Sequence, residues 1–229
     1  MFCSKCGSEI KNDVNFCPSC GSKISRTDKI IVRGDFILTA DGKEILYYNG
    51  TDKSVTIPAS VKKIGEYAFS GNKNLQEVIF SKKEPFISIG EGSFFDCQNI
   101  QSIELPENIV KIERYAFLNC VELSHLETKS QPTEIGANVF DGTTLLYNQV
   151  WKAFESGSDL VTIDRFDHWL VGYMQQYPRI VDVDELGTVN TIATGAFSYC
   201  RNISKIVFNG QSVPVKKYKD VSVPYLGNR

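Results

Sequence analysis

Apolar residues recur along this chain at a spacing longer than any helix or strand period. The stretch Ile64-Gly65-Glu66-Tyr67-Ala68-Phe69 returns as Ile89 to Phe94, Ile112 to Phe117, Ile135 to Phe140 and Ile192 to Phe197. The phenylalanines lie 25, 23, 23 and 57 residues apart. A period of this size predicts a solenoid, in which each coil buries its apolar face only against its neighbours. Beyond each phenylalanine, apolar residues follow at six, nine and eleven positions: Leu75, Val78, Phe80; Ile100, Ile103, Leu105; Leu123, Leu126, then polar Thr128; Ile203, Ile206, Phe208. The nine and eleven positions alternate as a strand does, one side in and one out. The residue before the phenylalanine is small at Ala68, Ser93, Ala116 and Ala196, with Val139 the exception, as close coil stacking requires. Phe117 is expected in the core of a central coil, and Phe69, nearer the N-terminal end, is expected to matter less.

The ends and the gap depart from the period. Ile30 to Val32, Phe36 to Leu38 and Ile45 to Tyr48 flank Asp41-Gly42, a strong turn signal. They predict a hairpin cap over 30–50, because a terminal coil needs a different outer face. Between Phe140 and Phe197, Leu146 keeps the first strand position but Gln149 holds the next, and Lys152 to Asp159 is polar. An apolar, strand-like run covers Phe166 to Tyr173, and Val181 to Asp184 leads into Val189-x-x-Ile192. This parallels Phe36 to Ile64, so an elaborated repeat interrupted around 145–187 is expected, with a helix over about 164–177 as the alternative. After Phe208 the tail carries Lys216-Lys217-Tyr218-Lys219. It reads as a solvated end or cap, or else as a basic contact patch.

The Ile57-Pro58 and Leu105-Pro106 pairs, Val61-x-x-Ile64, Ile109-x-x-Ile112, Tyr-Ala-Phe at 67–69 and 115–117, and Phe-x-x-Cys at 94–97 and 117–120 resemble the BspA-like class of leucine-rich repeat. The resemblance covers about 50–145 and 181–210. It implies a mainly β solenoid, right-handed, with short strands on one face and compact turns opposite. It also implies protein-binding or adhesion roles without catalysis, often on bacterial cell surfaces.

Cysteine usage adds a second unit. Of seven cysteines, four form two CxxC pairs before residue 21: Cys3-Ser4-Lys5-Cys6-Gly7 and Cys17-Pro18-Ser19-Cys20-Gly21. Two sulfurs so spaced fit one tight turn, and the glycine after them lets that turn close. Two such turns facing each other make a closed, tetrahedral four-thiolate site suited to one structural Zn²⁺ held by Cys3, Cys6, Cys17 and Cys20. A redox dithiol is the competing reading, but a redox CxxC usually occurs once, inside a larger fold. Some two dozen residues cannot build a core, so the metal must supply most of the folding energy, with Phe2, Ile10, Val14, Phe16 and Ile24 available to cover it. These residues resemble a short bacterial zinc ribbon. The expected organisation is a ribbon at 1–24, a linker at 25–29 and a leucine-rich repeat solenoid at 30–229. The other three cysteines, Cys97, Cys120 and Cys200, fall three residues after a repeat phenylalanine, as do Asn72 and Thr143. That column reads as a ladder bonding backbone groups where the chain bends; reactive thiols or a second metal site are the alternative.

Net charge is −2, which offers no general attraction to nucleic acid or anionic membrane. Within the ribbon, Lys5, Lys11 and Lys23 face Glu9 and Asp13, and a zinc held by four thiolates adds about −2, a poor surface for phosphates. No apolar run approaches a membrane span of roughly 18 residues. Met1 to Cys6 lacks the apolar core of a secretory signal, so a cytoplasmic location is expected. His125 and His168 have no motif-level catalytic partner, and no nucleophile elbow, phosphate loop or HExxH is present. The expected function is a non-catalytic protein-interaction scaffold; a nucleic-acid-associated protein using the ribbon and a surface adhesin are the alternatives. The outward strand positions supply a candidate face for an unidentified protein partner. At Phe + 8 they read Glu77, Ser102, His125, Asn148 and Lys205, and at Phe + 10 Ile79, Glu104, Glu127, Val150 and Val207. Glu77, Ile79, Glu104, His125, Glu127, Lys205 and Val207 are the expected binding residues, with Ile79 and Val207 exposed though apolar. Stacked like charges at Glu104 and Glu127 destabilise a sheet, so folding alone gives no reason for them. Ordinary solvated side chains are the alternative.

Overall fold

Each Ile-to-Phe stretch bends the chain twice, and the bends have a fixed backbone signature. The residue two before the phenylalanine is left-handed in four successive coils: Tyr67 (φ 52°), Gly92 (54°), Tyr115 (61°) and Asn138 (56°). So is the residue two after it: Gly71 (72°), Asp96 (58°), Asn119 (61°) and Gly142 (72°). Tyrosine rarely adopts this conformation. Here a backbone ladder holds it. Tyr67, Phe69 and Gly71 donate their N–H groups to the carbonyls of Glu91, Ser93 and Phe95 in the next coil. The next two coils repeat the pattern through Gly92, Phe94 and Asp96, then Tyr115, Phe117 and Asn119. Coils therefore approach closely: a Cβ on Gly136 would lie 2.3 Å from the Arg114 backbone nitrogen.

The computed structural model describes residues 8, 16–22, 30–80, 88–128, 132, 134–163, 169–173, 180–186, 189, 191–193, 196–197 and 203–213. The expected linker at 25–29, Cys3, Cys6, Cys200, His168 and the lysines at 216, 217 and 219 lie outside these residues.

Two strand stacks flank the turns. Strands β1 (Ile30–Arg33), β2 (Phe36–Thr39) and β3 (Glu44–Tyr48) pair antiparallel in sequence order, β2 and β3 meeting across Asp41-Gly42. β4 (Ser54–Thr56) follows, and β5 (Lys63–Ile64) pairs parallel with β3. The later strands are β6 (Glu77–Ile79), β7 (Ser88–Ile89), β8 (Ser102–Glu104), β9 (Lys111–Ile112), β10 (His125–Glu127) and β11 (Glu134–Ile135). Among the described residues β1-β2-β3-β5-β7-β9-β11 form one sheet, while β4 pairs with β6 and β8 with β10, both parallel. The resemblance implied strands on one face only. The two-residue segments ending in Ile64, Ile89, Ile112 and Ile135 form a second stack because the isoleucine points inward while its N–H and C=O groups face the neighbouring coil. Ile64, Ile89 and Ile112 are fully buried and pair in register.

The core is a column of rings. Phe69 stacks on Tyr48 (centroids 5.0 Å) and on Phe94 (5.1 Å), Phe94 on Phe117 (5.3 Å), and Phe117 on Phe140 (5.7 Å). Phe36 closes the N-terminal end against Tyr48 at 5.0 Å. Ala68, Ser93 and Ala116 beside the column are fully buried, which explains their small size.

The interruption begins with a helix. α1 (Thr144–Ser156) occupies the place where Leu146, Asn148 and Val150 were expected as strand positions. Thr143 caps it, its hydroxyl accepting from the Leu146 N–H at 3.1 Å, and left-handed Gly157 ends it by donating to Ala153. Within the expected helix alternative at 164–177, the described residues 169–173 form a strand. β12 (Leu160–Ile163) and β13 (Trp169–Tyr173) pair antiparallel. β14 (Ile180–Asp182), the short helix α2 (Val183–Leu186), β15 (Thr191–Ile192), β16 (Lys205–Phe208) and β17 (Gln211–Val213) follow. β13 runs parallel to β15 and β14 parallel to β16, repeating the plan of β3 with β5 and β4 with β6. Ile163, Leu170, Val181 and Val183 join the same buried cluster as the phenylalanine column.

Candidate functional site

Parallel, in-register pairing projects alternate side chains from β4, β6, β8 and β10. Ser102 lies opposite His125, and Glu104 opposite Glu127. All four are exposed, while Ile103 and Leu126 between them are buried. The expected stack of like charges is therefore real geometry. Ser54 donates to the Glu77 carboxylate at 2.8 Å, and Ser124 Oγ lies 2.9 Å from His125 Nδ1. Ile79 is 42% exposed although apolar. Together β6, β8 and β10 floor an open groove of about 830 Å³ lined by Glu77, Ile79, Glu104, Glu107, Glu122, His125 and Glu127; among the described residues no lysine or arginine lines it.

Lys205 and Val207 do not continue that face as a regular column. α1 stands in the intervening coil, so Asn148 and Val150 are helical and β16 belongs to a separate sheet with β14 and β17. Lys205 is exposed, but Val207 is half-buried, opposite Asp182 on one side and Ser212 on the other. α1 instead presents aromatic residues unforeseen from the strand period. Tyr147, Trp151 and Phe154 are 61%, 52% and 67% exposed. Trp151 and Phe154 lie 5.8 Å apart, and the Trp151 indole N–H donates to Glu155 at 2.9 Å. Their spacing of four and three residues was the available signal, once Thr143 and Gly157 are read as caps.

Of the four expected metal ligands, Cys17 and Cys20 are described. The Cys17-Pro18-Ser19-Cys20-Gly21 turn closes through Gly21 N–H to Cys17 O at 2.9 Å and Cys17 N–H to Ser22 O at 2.8 Å, with Gly21 left-handed. A two-thiol knuckle needs this tight reversal, so these residues fit a zinc site. Cys17 is buried and Cys20 exposed. Phe16 is 58% exposed; Phe2, Ile10, Val14 and Ile24, the other residues expected to cover the metal, lie outside the described residues. Among the described residues no other cluster of histidine, cysteine and carboxylate side chains is arranged for a metal.

The family model of the BspA type leucine rich repeat region matches residues 42–159 and 176–219, in six copies. The chain belongs to this family. Residues 2–24 match a zinc-ribbon domain. Similar solved structures include the leucine-rich repeat protein TpLRR of T. pallidum, 21% identical over 80% of this chain and 70% of that one, TM-score 0.41. A leucine-rich repeat protein of Bacteroides ovatus is 21% identical over 72% of this chain and 40% of its own, TM-score 0.46. The pneumococcal vaccine antigen PcpA is 20% identical over 79% and 39%, TM-score 0.43. The chain thus spans well under half of the last two. Comparison with curated proteins found no match. A BspA-type scaffold fits a protein-interaction or adhesin-like role, and proteins built on such repeats are generally non-enzymatic. No helix among the described residues is long and apolar enough to cross a membrane.

In these BspA-type coils the Phe + 3 column is a ladder, as expected. Cys97 Sγ donates to Phe69 O and Cys120 Sγ to Phe94 O, both at 3.0 Å, each reaching back one coil. Asn72 Nδ2 donates to Gly50 O at 3.0 Å, and Thr143 Oγ1 to Phe140 O at 2.6 Å within its own coil. Both thiols are fully buried. Burial pushes Cys97 up to about 12 and Cys120 higher still, because a thiolate there would lack solvation. The thiolate is the nucleophile. Alkylation of Cys97 and Cys120 by iodoacetamide is therefore expected only at the rate of unfolding. Mass-spectrometric detection of fast native-state labelling at Cys120 would place that column in solvent.

Proposed function

We propose that this chain is a non-catalytic protein-interaction module: a BspA-type repeat scaffold joined to a ribbon held by one structural zinc through Cys3, Cys6, Cys17 and Cys20. Zinc, when bound, would hold the two knuckles together without an open coordination position. The observation that carries the reading is the in-register Glu104–Glu127 pair at the centre of an open groove. Like charges directly opposite on paired strands cost stability, so their presence on a regular repeat face favours a use outside folding. Exposed Ile79 supplies an apolar contact at the flank.

Glu104→Lys combined with Glu127→Lys tests this. Affinity for an identified partner, measured by calorimetry, is expected to fall by about tenfold or more. The denaturation midpoint is expected to stay or rise slightly, since replacing both leaves an equivalent like-charge pair no worse than the original. Unchanged affinity removes this face from consideration.

A further inference from the structure

Helix α1 is apolar on two sides. Leu145 and Ala153 are buried against the solenoid. On the other side Tyr147, Trp151 and Phe154 form one exposed stripe, and nothing among the described residues covers it. A surface helix ordinarily turns such residues inward, and a contiguous aromatic patch left in water marks a contact surface. The stripe does not stand alone. Tyr147 and Trp151 wall a groove of about 440 Å³ between α1 and β10, floored by Ser124, His125 and Leu126. Ser124 and His125 also line the larger glutamate-walled groove, so the two are continuous. Five glutamates and, among the described residues, no basic one line the strand side; Tyr147, Trp151 and a single lysine, Lys152, line the helix side, with Phe154 beside Trp151.

Charge complementarity decides the occupant. Glu77, Glu104, Glu107, Glu122 and Glu127 disfavour an acidic partner and attract a basic one. Aromatic faces beside them accept lysine and arginine through cation–π contact and cover their aliphatic stems. The three-residue strands underneath set Ile79, Glu104 and Glu127 in a row across successive coils, a track along which an extended peptide can lie. We propose that β6, β8, β10 and α1 together bind an extended, cationic peptide segment of a partner protein. Its basic side chains point at Glu104 and Glu127, and its apolar side chains lie against Tyr147, Trp151 and Phe154. This rests on the interaction-module reading and names the partner's chemistry.

The test uses the full chain and two short fluorescein-labelled peptides, one alternating lysine with leucine and one alternating glutamate with leucine. Fluorescence anisotropy should show binding of the lysine peptide alone, weakening as salt rises. Glu104→Lys with Glu127→Lys should weaken it about tenfold or more, and Trp151→Ala with Phe154→Ala at least about fivefold, with unchanged thermal unfolding in both. Equal binding of the two peptides, or lysine-peptide binding that both variants leave intact, overturns the proposal. So does self-association of the chain, seen by sedimentation equilibrium, that Trp151→Ala abolishes, because the stripe would then be covered by a second copy. Each of those results leaves the interaction-module reading standing, since calorimetry with an identified partner tests that reading separately.

Discussion

Phe117→Ala is expected to lower the free energy of unfolding by about 3–5 kcal/mol, the range for emptying a packed phenylalanine site. The ring is fully buried and sandwiched between Phe94 at 5.3 Å and Phe140 at 5.7 Å, nearly parallel to both. Removing it breaks two ring contacts at once and leaves a gap that the backbone ladder prevents from closing. The coils on either side are fixed in spacing by Phe117 N–H to Val139 O and Phe94 N–H to Ala116 O, each at 2.9 Å. Collapse into the gap would have to break those bonds. Denaturant unfolding checks this, and an unmoved midpoint would mean that the column is not the core. Phe69→Ala is expected in the same range, contrary to the smaller cost expected from its place near the cap. Tyr48 and Phe94 enclose Phe69 from both sides at 5.0 and 5.1 Å, and Phe36 approaches edge-on at 6.5 Å.

The coil period was legible because a solenoid writes its core into the sequence at fixed offsets. Ile64, Phe69, Leu75 and Val78 and their counterparts in the coils through Phe94 and Phe117 are buried where the spacing places them, while Ile192, Phe197 and Ile203 of the last coil are half-buried. The Phe + 3 ladder was legible for a similar reason: asparagine, cysteine and threonine share one position only if that position meets a backbone carbonyl. Two features were hidden. Left-handed Tyr67 and Tyr115 carry no compositional signal, since glycine or asparagine would be the usual marker. Helix α1 was misread because Leu146 fits the first strand offset by coincidence, while the helix signals are the caps at its two ends, Thr143 and Gly157. The binding face inherits both outcomes. Glu77, Ile79, Glu104, His125 and Glu127 share one groove, as regular coils require. Lys205 and Val207 fall beyond the helix, where the offset count no longer describes neighbours in space.

Removal of zinc is expected to unfold the N-terminal ribbon completely and to leave the solenoid intact. Residues 1–24 contain five sizeable apolar side chains after Met1, too few for a core, and Phe16 among them is 58% exposed. Metal binding must then supply the folding free energy, typically on the order of 10–16 kcal/mol for a structural zinc in a peptide of this kind. The solenoid has a different source of stability. Among the described residues its phenylalanine column and two strand stacks lie within 30–213 and use no cysteine of the ribbon. Elemental analysis is expected to find one zinc per chain, lost when Cys3, Cys6, Cys17 and Cys20 are all changed to serine. After chelation, limited proteolysis should trim the N-terminus alone, and the thermal unfolding of the remainder should keep its midpoint. Zinc retained by the quadruple variant would remove these four ligands. A single cooperative loss of all structure on chelation would instead show that ribbon and solenoid share one folding unit, which the separate stabilising contacts described here argue against.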